Sequence, residues 1–232
     1  EGKQREFTYQ NNTFILGFTI IQDRRNPILD VTFDGIHILD GDLVSTRPEI
    51  NIRVTDENEF LILSDTSLFD VFLKYPNGVT SEKLRFTDPD VTFTPGNDQD
   101  NTANILIAKK LETDGISTLI VQAQDGSGNV SGDVDYQISF EVINETSISE
   151  ILNYPNPFST STKFVYTLTG DQSPDFFKIQ IMTLSGKVVR EITSAEIGPL
   201  KVGKHMTDYV YDGKDEYGEP LANGVYLYRM IA

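Results

Sequence analysis

The sequence predicts an all-β fold, built as two β-sandwiches in tandem. Three observations predict it. Apolar and polar residues alternate with a period of two in many segments, short strand-like runs are separated by Gly, Pro, Asn and Asp turns, and no segment sustains a helical period. The 232 residues suit two domains of the usual ~100–150 residues. Hydrophobic residues at 38% against 23% charged ones mark a chain able to bury a core rather than a disordered one.

Taken in order, residues 14–21 read as an apolar strand, followed by the linker-like Asp23-Arg24-Arg25-Asn26-Pro27. Residues 1–25 are therefore expected to end an upstream domain or to add an edge strand. The first module is expected over 26–146, with strands at 28–33, 49–55, 69–75, 103–108, 116–124 and 134–142. The last shows the pattern most plainly: Val134, Tyr136, Ile138, Phe140 and Val142 alternate with Asp135, Gln137, Ser139 and Glu141, so the two sets belong to opposite sheet faces. Turns are expected at Pro76-Asn77-Gly78 and Asp125-Gly126-Ser127-Gly128-Asn129, and 107–114 could form one helical turn.

A boundary is expected near 144–153, where the polar Asn144-Glu145-Thr146-Ser147 leads to Asn153-Tyr154-Pro155-Asn156-Pro157-Phe158. Two prolines one residue apart remove two backbone donors and fix two φ angles, so the segment reads as a stiff entry to a new module rather than part of a sheet. The second module is expected over 147–232, with strands at 163–168, 177–181, 187–192, 207–211 and 224–230. Ser185-Gly186, Asp212-Gly213, Tyr217-Gly218 and Asn223-Gly224 supply its turns, and Ser194–Ile197 could form a helical turn.

The chemistry the residues allow is narrow. The absence of cysteine removes disulfides, thiol catalysis and cysteine-ligated metals. His37 and His205 stand alone, without the spacing of a zinc site. No Gly-x-Ser-x-Gly elbow occurs, and Gly126-Ser127-Gly128 has neither a following helix nor a nearby lysine to make a phosphate cradle. The 35 acidic residues are scattered over turns rather than set as a catalytic pair. No catalytic residue and no cofactor is expected. Calcium is the one metal with a candidate set: Asp88, Asp90, Asp98 and Asp100 in the loop 87–101, with Asp125 and Asn129 near Asp133 and Asp135 in another, although neither has EF-hand spacing and solvated turn aspartates are the better reading. Tyr209 with Tyr211 and Tyr226 with Tyr228 could stack on sugars, but tyrosines two apart on a strand are more usually packing residues. A net charge of −16 makes nucleic acid and anionic membranes poor partners, and no apolar run reaches the ~18 residues of a membrane-spanning helix.

The second module carries a resemblance. Asn153-Tyr154-Pro155-Asn156-Pro157-Phe158, Leu184-Ser185-Gly186-Lys187, Tyr211-Asp212-Gly213-Lys214-Asp215-Glu216-Tyr217-Gly218 and Asn223-Gly224-Val225-Tyr226 resemble the immunoglobulin-like domain of the flagellar hook-capping family and the C-terminal sorting domains of type IX secretion in Bacteroidetes. The resemblance covers about 153–230. The chain ends at Met230-Ile231-Ala232, where such sorting domains continue into a short basic tail. The first module is similar to bacterial immunoglobulin-like repeats at Asn26–Gly35, Val44–Ile50 and Ala123–Asn129. Together the modules resemble the C-terminal region of large Bacteroidetes surface proteins, some of which carry an upstream gingipain-like cysteine peptidase similar to the type IX sortase. The resemblance implies two tandem immunoglobulin-like β-sandwiches in a fragment of a longer protein. It also implies passage through the periplasm and outer membrane to the cell surface or medium. The expected function is sorting and presentation, with the secretion or surface-attachment machinery and the upstream domains as partners, and Tyr154, Pro155, Asn156, Pro157, Gly186, Asp212, Gly213, Asp215, Gly218, Gly224 and Tyr226 as the recognition motif. A stalk or adhesin module binding a glycan or surface protein, and an accessory domain of an upstream peptidase, are the alternatives.

Overall fold

The computed structural model describes residues 15–18, 23–171, 173–174 and 176–232. Nine strands form where β-branched and aromatic residues alternate with polar ones. They are β1 (Ile28–Phe33), β2 (Asp42–Val44), β3 (Ile50–Thr55), β4 (Phe69–Lys74), β5 (Glu82–Lys83), β6 (Val91–Thr94), β7 (Thr102–Ile107), β8 (Gly115–Ala123) and β9 (Tyr136–Val142). They make two sheets, ordered β1-β3-β7-β6 and β2-β9-β8-β4-β5, antiparallel except for β2 beside β9. Ile50, Ile52 and Val54 of β3 join Phe69, Val71 and Leu73 of β4 in one buried cluster, which also takes in the inward rows of β7 and β8. Rings meet between the sheets: Phe33 lies 5.0 Å from Phe140, and Phe69 lies 5.5 Å from Phe93.

A second apolar cluster lies in the six later strands: β10 (Ile148–Tyr154), β11 (Lys163–Leu168), β12 (Lys178–Met182), β13 (Val188–Thr193), β14 (Gly203–Met206) and β15 (Leu227–Ile231). They form the sheets β10-β11-β14 and β13-β12-β15. Phe164, Tyr166 and Leu168 of β11 are buried with Phe177, Ile179 and Ile181, the row that runs into β12. The protein is thus all-β, two immunoglobulin-like sandwiches. Among the described residues the only α-helix is the single turn α1 (Ser194–Ile197), closed by a Thr193–Glu196 capping box. No described helix is long and apolar enough to cross a membrane, which says nothing about strands.

Several elements differ from the sequence expectation. Residues 15–18 of the expected strand 14–21 are exposed and irregular; its other residues lie outside the described ones. Val134 is exposed ahead of β9, because Ser131 and Gly132 are still bonded back to the end of β8. Residues 108–111 do not form a helical turn: the Ala108 N–H donates to Asp90 O and the Leu111 N–H to Thr46 O, so these amides bond to other segments. The expected linker 144–153 already contains β10, an edge strand with a bulge between Ser149 and Leu152 that hides its alternation. Its last residue is Tyr154, and both prolines stand beyond it.

The expected strand 207–211 is replaced by β14 and a bulge. Thr207 bonds to Phe164 and Tyr211 to Thr162, so four steps on one segment match two on the other. The excess residues bow outward, and the Thr207 hydroxyl oxygen accepts from the Phe164 N–H at 3.1 Å. The expected strand 224–230 begins only at Leu227.

The two sandwiches meet at their ends. The Thr46 N–H donates to Gly170 O, the Gly170 N–H donates to Ile143 O, and the Thr46 hydroxyl donates to Asp171 Oδ1 at 3.1 Å. Gly170 has φ +103°, and a Cβ there would stand 2.4 Å from Thr146 Oγ1, so the close approach requires glycine. A cleft of about 400 Å³ opens beside this junction, lined by Phe33, Arg47, Asp171, Lys201 and His205 among others.

Two outcomes are expected. Phe177→Ala removes a fully buried ring and should cost ~3–5 kcal/mol, against ~1 kcal/mol or less for Lys178→Ala, whose half-buried ammonium loses Glu191 and the face of the exposed Phe176 ring. Calorimetry should show a large loss for the first and a small one for the second; equal midpoints would mean the faces of β12 are misassigned. Gly170→Ala should speed hydrogen exchange at the Thr46 amide more than tenfold while leaving Leu119 protected, and unchanged exchange at Thr46 would show that the junction does not depend on that approach.

Candidate functional site

The recognition motif residues come from four turns, on three strand connections, that the second sandwich gathers at one end. In the first, Asn153 Nδ2 donates to Pro155 O at 3.2 Å and the Thr162 hydroxyl donates to the same carbonyl at 2.9 Å. These two bonds fix the turn Tyr154–Phe158. The second begins at Tyr211, whose ring meets Phe158 at 6.1 Å and whose hydroxyl donates to Lys214 O at 3.0 Å. Burial first, then Asp212, pushes the Tyr211 phenol up to about 12, so it stays a donor at any physiological pH.

Gly213 sits at φ +76° against Phe158, where a Cβ would come within 3.5 Å of the ring. Asp215 Oδ1 accepts from the Tyr217 and Glu219 N–H groups, both at 2.9 Å, and Gly218 at φ +84° closes that turn. In the third the Tyr226 hydroxyl donates to Ala222 O at 3.0 Å and spans Asn223-Gly224. The fourth is the Ser185-Gly186 hairpin, where the Gly186 N–H donates to Thr183 O at 2.9 Å. Met182, which leads into this hairpin, pairs with Leu227, so the hairpin lies beside the Gly224–Leu227 segment.

This rim is at the end of the second sandwich away from the first. The junction is made by residues 170–171 and by Gly203, which follow Leu168 or pair with it. The rim lies at the Tyr154–Lys163 and Met182–Leu227 end of the same strands. It exposes large apolar side chains: Tyr154 at 65%, Leu184 at 68%, Val225 at 71% and Tyr217 at 90%. The tyrosines weighed for sugar stacking take the packing role instead. Tyr211 is buried, Tyr209, Tyr226 and Tyr228 pack against the core, and Tyr228 meets Phe164 at 5.4 Å.

Sequence reasoning missed the residues that fasten the rim to the sheet. The Glu216 N–H donates to Val189 O, and its carboxylate accepts from the Glu191 N–H at 3.1 Å and pairs with Arg190 at 3.2 Å. Arg190, raised above its ordinary pKa first by a hydrogen bond with Tyr209, also pairs with Glu196. Lys214 stands 2.6 Å from Asp212 and holds that carboxyl below the usual range. A hollow of about 320 Å³ lies among Arg190, Tyr209, Asp212, Lys214 and Glu216. Arg190 reads in the sequence only as an outward polar residue of a strand, so nothing there signals its partners.

The four aspartates considered for calcium do not converge. Strand β6 runs between Asp88-Pro89-Asp90 and Asp98-Gln99-Asp100, and its four residues alone span ~13 Å. Asp88 accepts from the Arg85 N–H and Asp100 from the Thr102 hydroxyl, as turn residues do. Asp125 is buried and spends its oxygens on the Ser127 N–H, the Asn129 N–H and Asn129 Nδ2, at 2.7–2.8 Å. His37 is exposed beside Asp30, and the Nε2–H of His205, in β14, donates to Val202 O at 2.9 Å. Among the described residues the acidic group that does converge is Asp23, Asp56 and Glu57. Burial first, then Asp125, Glu57 and Asp23, lifts the Asp56 carboxyl from 3.8 to about 6; the Asn58 N–H offsets a little of this, but neither oxygen has a hydrogen-bond partner of good geometry among the described residues.

The class these features define is a pair of immunoglobulin-like sandwiches that presents a turn-built rim at one end. No protein-family profile and no curated protein matches the chain. Among solved structures it is similar to dimeric latent PorU from Porphyromonas gingivalis, at 20% identity and a TM-score of 0.37, over 91% of this chain and 19% of that one. The chain therefore spans about a fifth of that protein's length. A superposition this loose assigns no function.

The Asp56 shift gives a pH dependence with a definite sign. Between 3.8 and about 6 the folded protein binds more protons than the unfolded chain, so stability falls as pH rises through that window and is level above it. The first module's lowered carboxyls, Asp23, Asp65 and Asp114, act below that window. Metal-free protein should melt higher at pH 5 than at pH 7.5, and Asp56→Asn should flatten the difference. The same slope in Asp56→Asn would locate the proton elsewhere.

Proposed function

We propose that the chain is a non-catalytic module of a secreted surface protein, acting in type IX secretion sorting and presentation at the cell surface. In this reading residues 147–232 form the recognition module and residues 26–146 the spacer that carries it. The supporting observation is the convergence of the motif loops on one rim, at the end that the first sandwich leaves uncovered. The motif residues are spent on shaping turns, and the aromatic and aliphatic side chains between them are left exposed. The ionic groups of the hollow are already engaged, Asp212 with Lys214, Glu216 with Arg190 and Asp215 with backbone N–H groups. That arrangement suits a surface read by a protein partner better than a site that moves protons. The partner is the secretion or attachment machinery, and it reads a folded rim rather than a linear segment.

The test is export of a periplasmic reporter fused to residues 147–232 in a cell with a type IX apparatus. The fusion should reach the surface. Leu184→Asp with Val225→Asp alters exposed rim positions, so it should keep the melting midpoint and lose most export. Phe177→Ala should lose export by unfolding, and Lys178→Ala should keep it. Export of an unfolded Phe177→Ala fusion would show a linear signal, and no export of the parent fusion would sink the sorting role.

A further inference from the structure

We propose that Asp23, Asp56 and Glu57 bind a calcium ion at the end of the first sandwich where the chain enters it. The three residues come from two places. Asp23 precedes β1, and Asp56 and Glu57 follow β3, whose Thr55 pairs with Ile28 at the start of β1. One carboxylate oxygen from each lies within 4.8 Å of the others. A cluster of acids on a surface would not by itself be a site. The deciding side chain is Asp56, which is only 4% exposed and has two buried oxygens without a hydrogen-bond partner among the described residues. Buried carboxylates are found paired, hydrogen-bonded or on a metal, and Asp56 has neither of the first two.

Its neighbours leave it that way. Asp23 accepts from the Arg25 N–H at 3.0 Å and from Asn58 Nδ2 at 2.9 Å, and keeps lone pairs free on both oxygens. Glu57 pairs with Arg25 Nε at 3.2 Å. Asp125 adds negative charge, but its own oxygens are occupied. Among the described residues the one ion pair in the group is Arg25 with Glu57. The donors are all hard oxygens, which excludes the soft-ligand preferences of zinc and copper and suits calcium or magnesium. The irregular set, two residues adjacent in sequence and one from a separate segment, favours calcium, which accepts variable geometry, over magnesium, which demands an octahedron. Binding would tie the segment before β1 to the β3–β4 connection and stiffen the entry to the module. This site is independent of the rim and of the sorting role.

The experiment uses the full chain, freed of metal with a chelator and then dialysed. Calcium chloride followed by calorimetry should give a saturable heat with a dissociation constant of about 10⁻⁵–10⁻³ M, and it should raise the melting midpoint of the first module. Magnesium should bind at least tenfold more weakly. Asp56→Asn, which should fold at least as well as the parent without metal, should weaken calcium binding at least tenfold. Asp98→Asn with Asp100→Asn, outside the site, should leave binding unchanged. No calcium heat and no midpoint shift in the parent would overturn the proposal. So would a calcium response unaltered in Asp56→Asn, or binding lost only in the Asp98 and Asp100 variant. Equal affinity for magnesium would overturn the choice of ion.

Discussion

Everything the second sandwich presents depends on two short rows of side chains meeting beneath the rim. Phe164, Tyr166 and Leu168 stand on one sheet and Phe177, Ile179 and Ile181 on the other. Among the described residues the apolar cluster of the two three-stranded sheets lies between them, so each is stable only against its partner. Beyond Phe158, Tyr211, Leu221 and Tyr226, which pack into that core, the rim loops add little apolar area of their own. They are held by single hydrogen bonds to carbonyls and carboxylates, each contributing about 0.5–1.5 kcal/mol net. Such bonds shape a loop once its ends are fixed, and the two facing rows are what fix them. A core defect therefore reaches the rim, whereas a rim substitution need not reach the core.

The junction gives this arrangement a direction. Thr46, Gly170 and Asp171 join the sandwiches through backbone and hydroxyl bonds, and the glycine at 170 lets its backbone approach the connecting segment at Thr146 closer than a side chain would permit. Short, buried backbone contacts restrict relative motion more than long surface ion pairs do, because they leave little rotamer freedom. The first sandwich is thereby more than a flexible tether. Its far end carries Asp23, Asp56 and Glu57, its near end carries the junction, and the rim lies beyond the second sandwich.

What could be read from the sequence was set by how strongly burial dictates a pattern. Rows facing a core, such as Ile50-Ile52-Val54 or Phe177-Ile179-Ile181, must alternate, and they could be read directly. Edge elements need not. The strand Asp42–Val44 is three residues long and parallel to its neighbour, and Ile148–Tyr154 contains a bulge, so neither shows a clean period. The Thr207–Tyr211 segment alternates because Tyr209 and Tyr211 both turn toward the core, although the backbone between them bulges. The turn residues of the rim were legible because Gly213 and Gly218 answer a local backbone demand. Their convergence was not, since it follows from strand register across two sheets.

The acidic residues show the same limit from the electrostatic side. A run such as Asp98-Gln99-Asp100 draws attention in a sequence because its charges are adjacent, yet exposed neighbours are solvated and have little need of a cation. Asp56 sits alone between Thr55 and Glu57 at the end of a strand, and nothing in the sequence says that it is buried. Burial changes its chemistry, because removing water from a carboxylate costs far more than bringing two solvated ones together. The consequence appears only when Asp23 is folded beside it from another segment. In a chain with 35 acidic residues, charge density was therefore a weaker guide to a cation than one carboxylate without a partner.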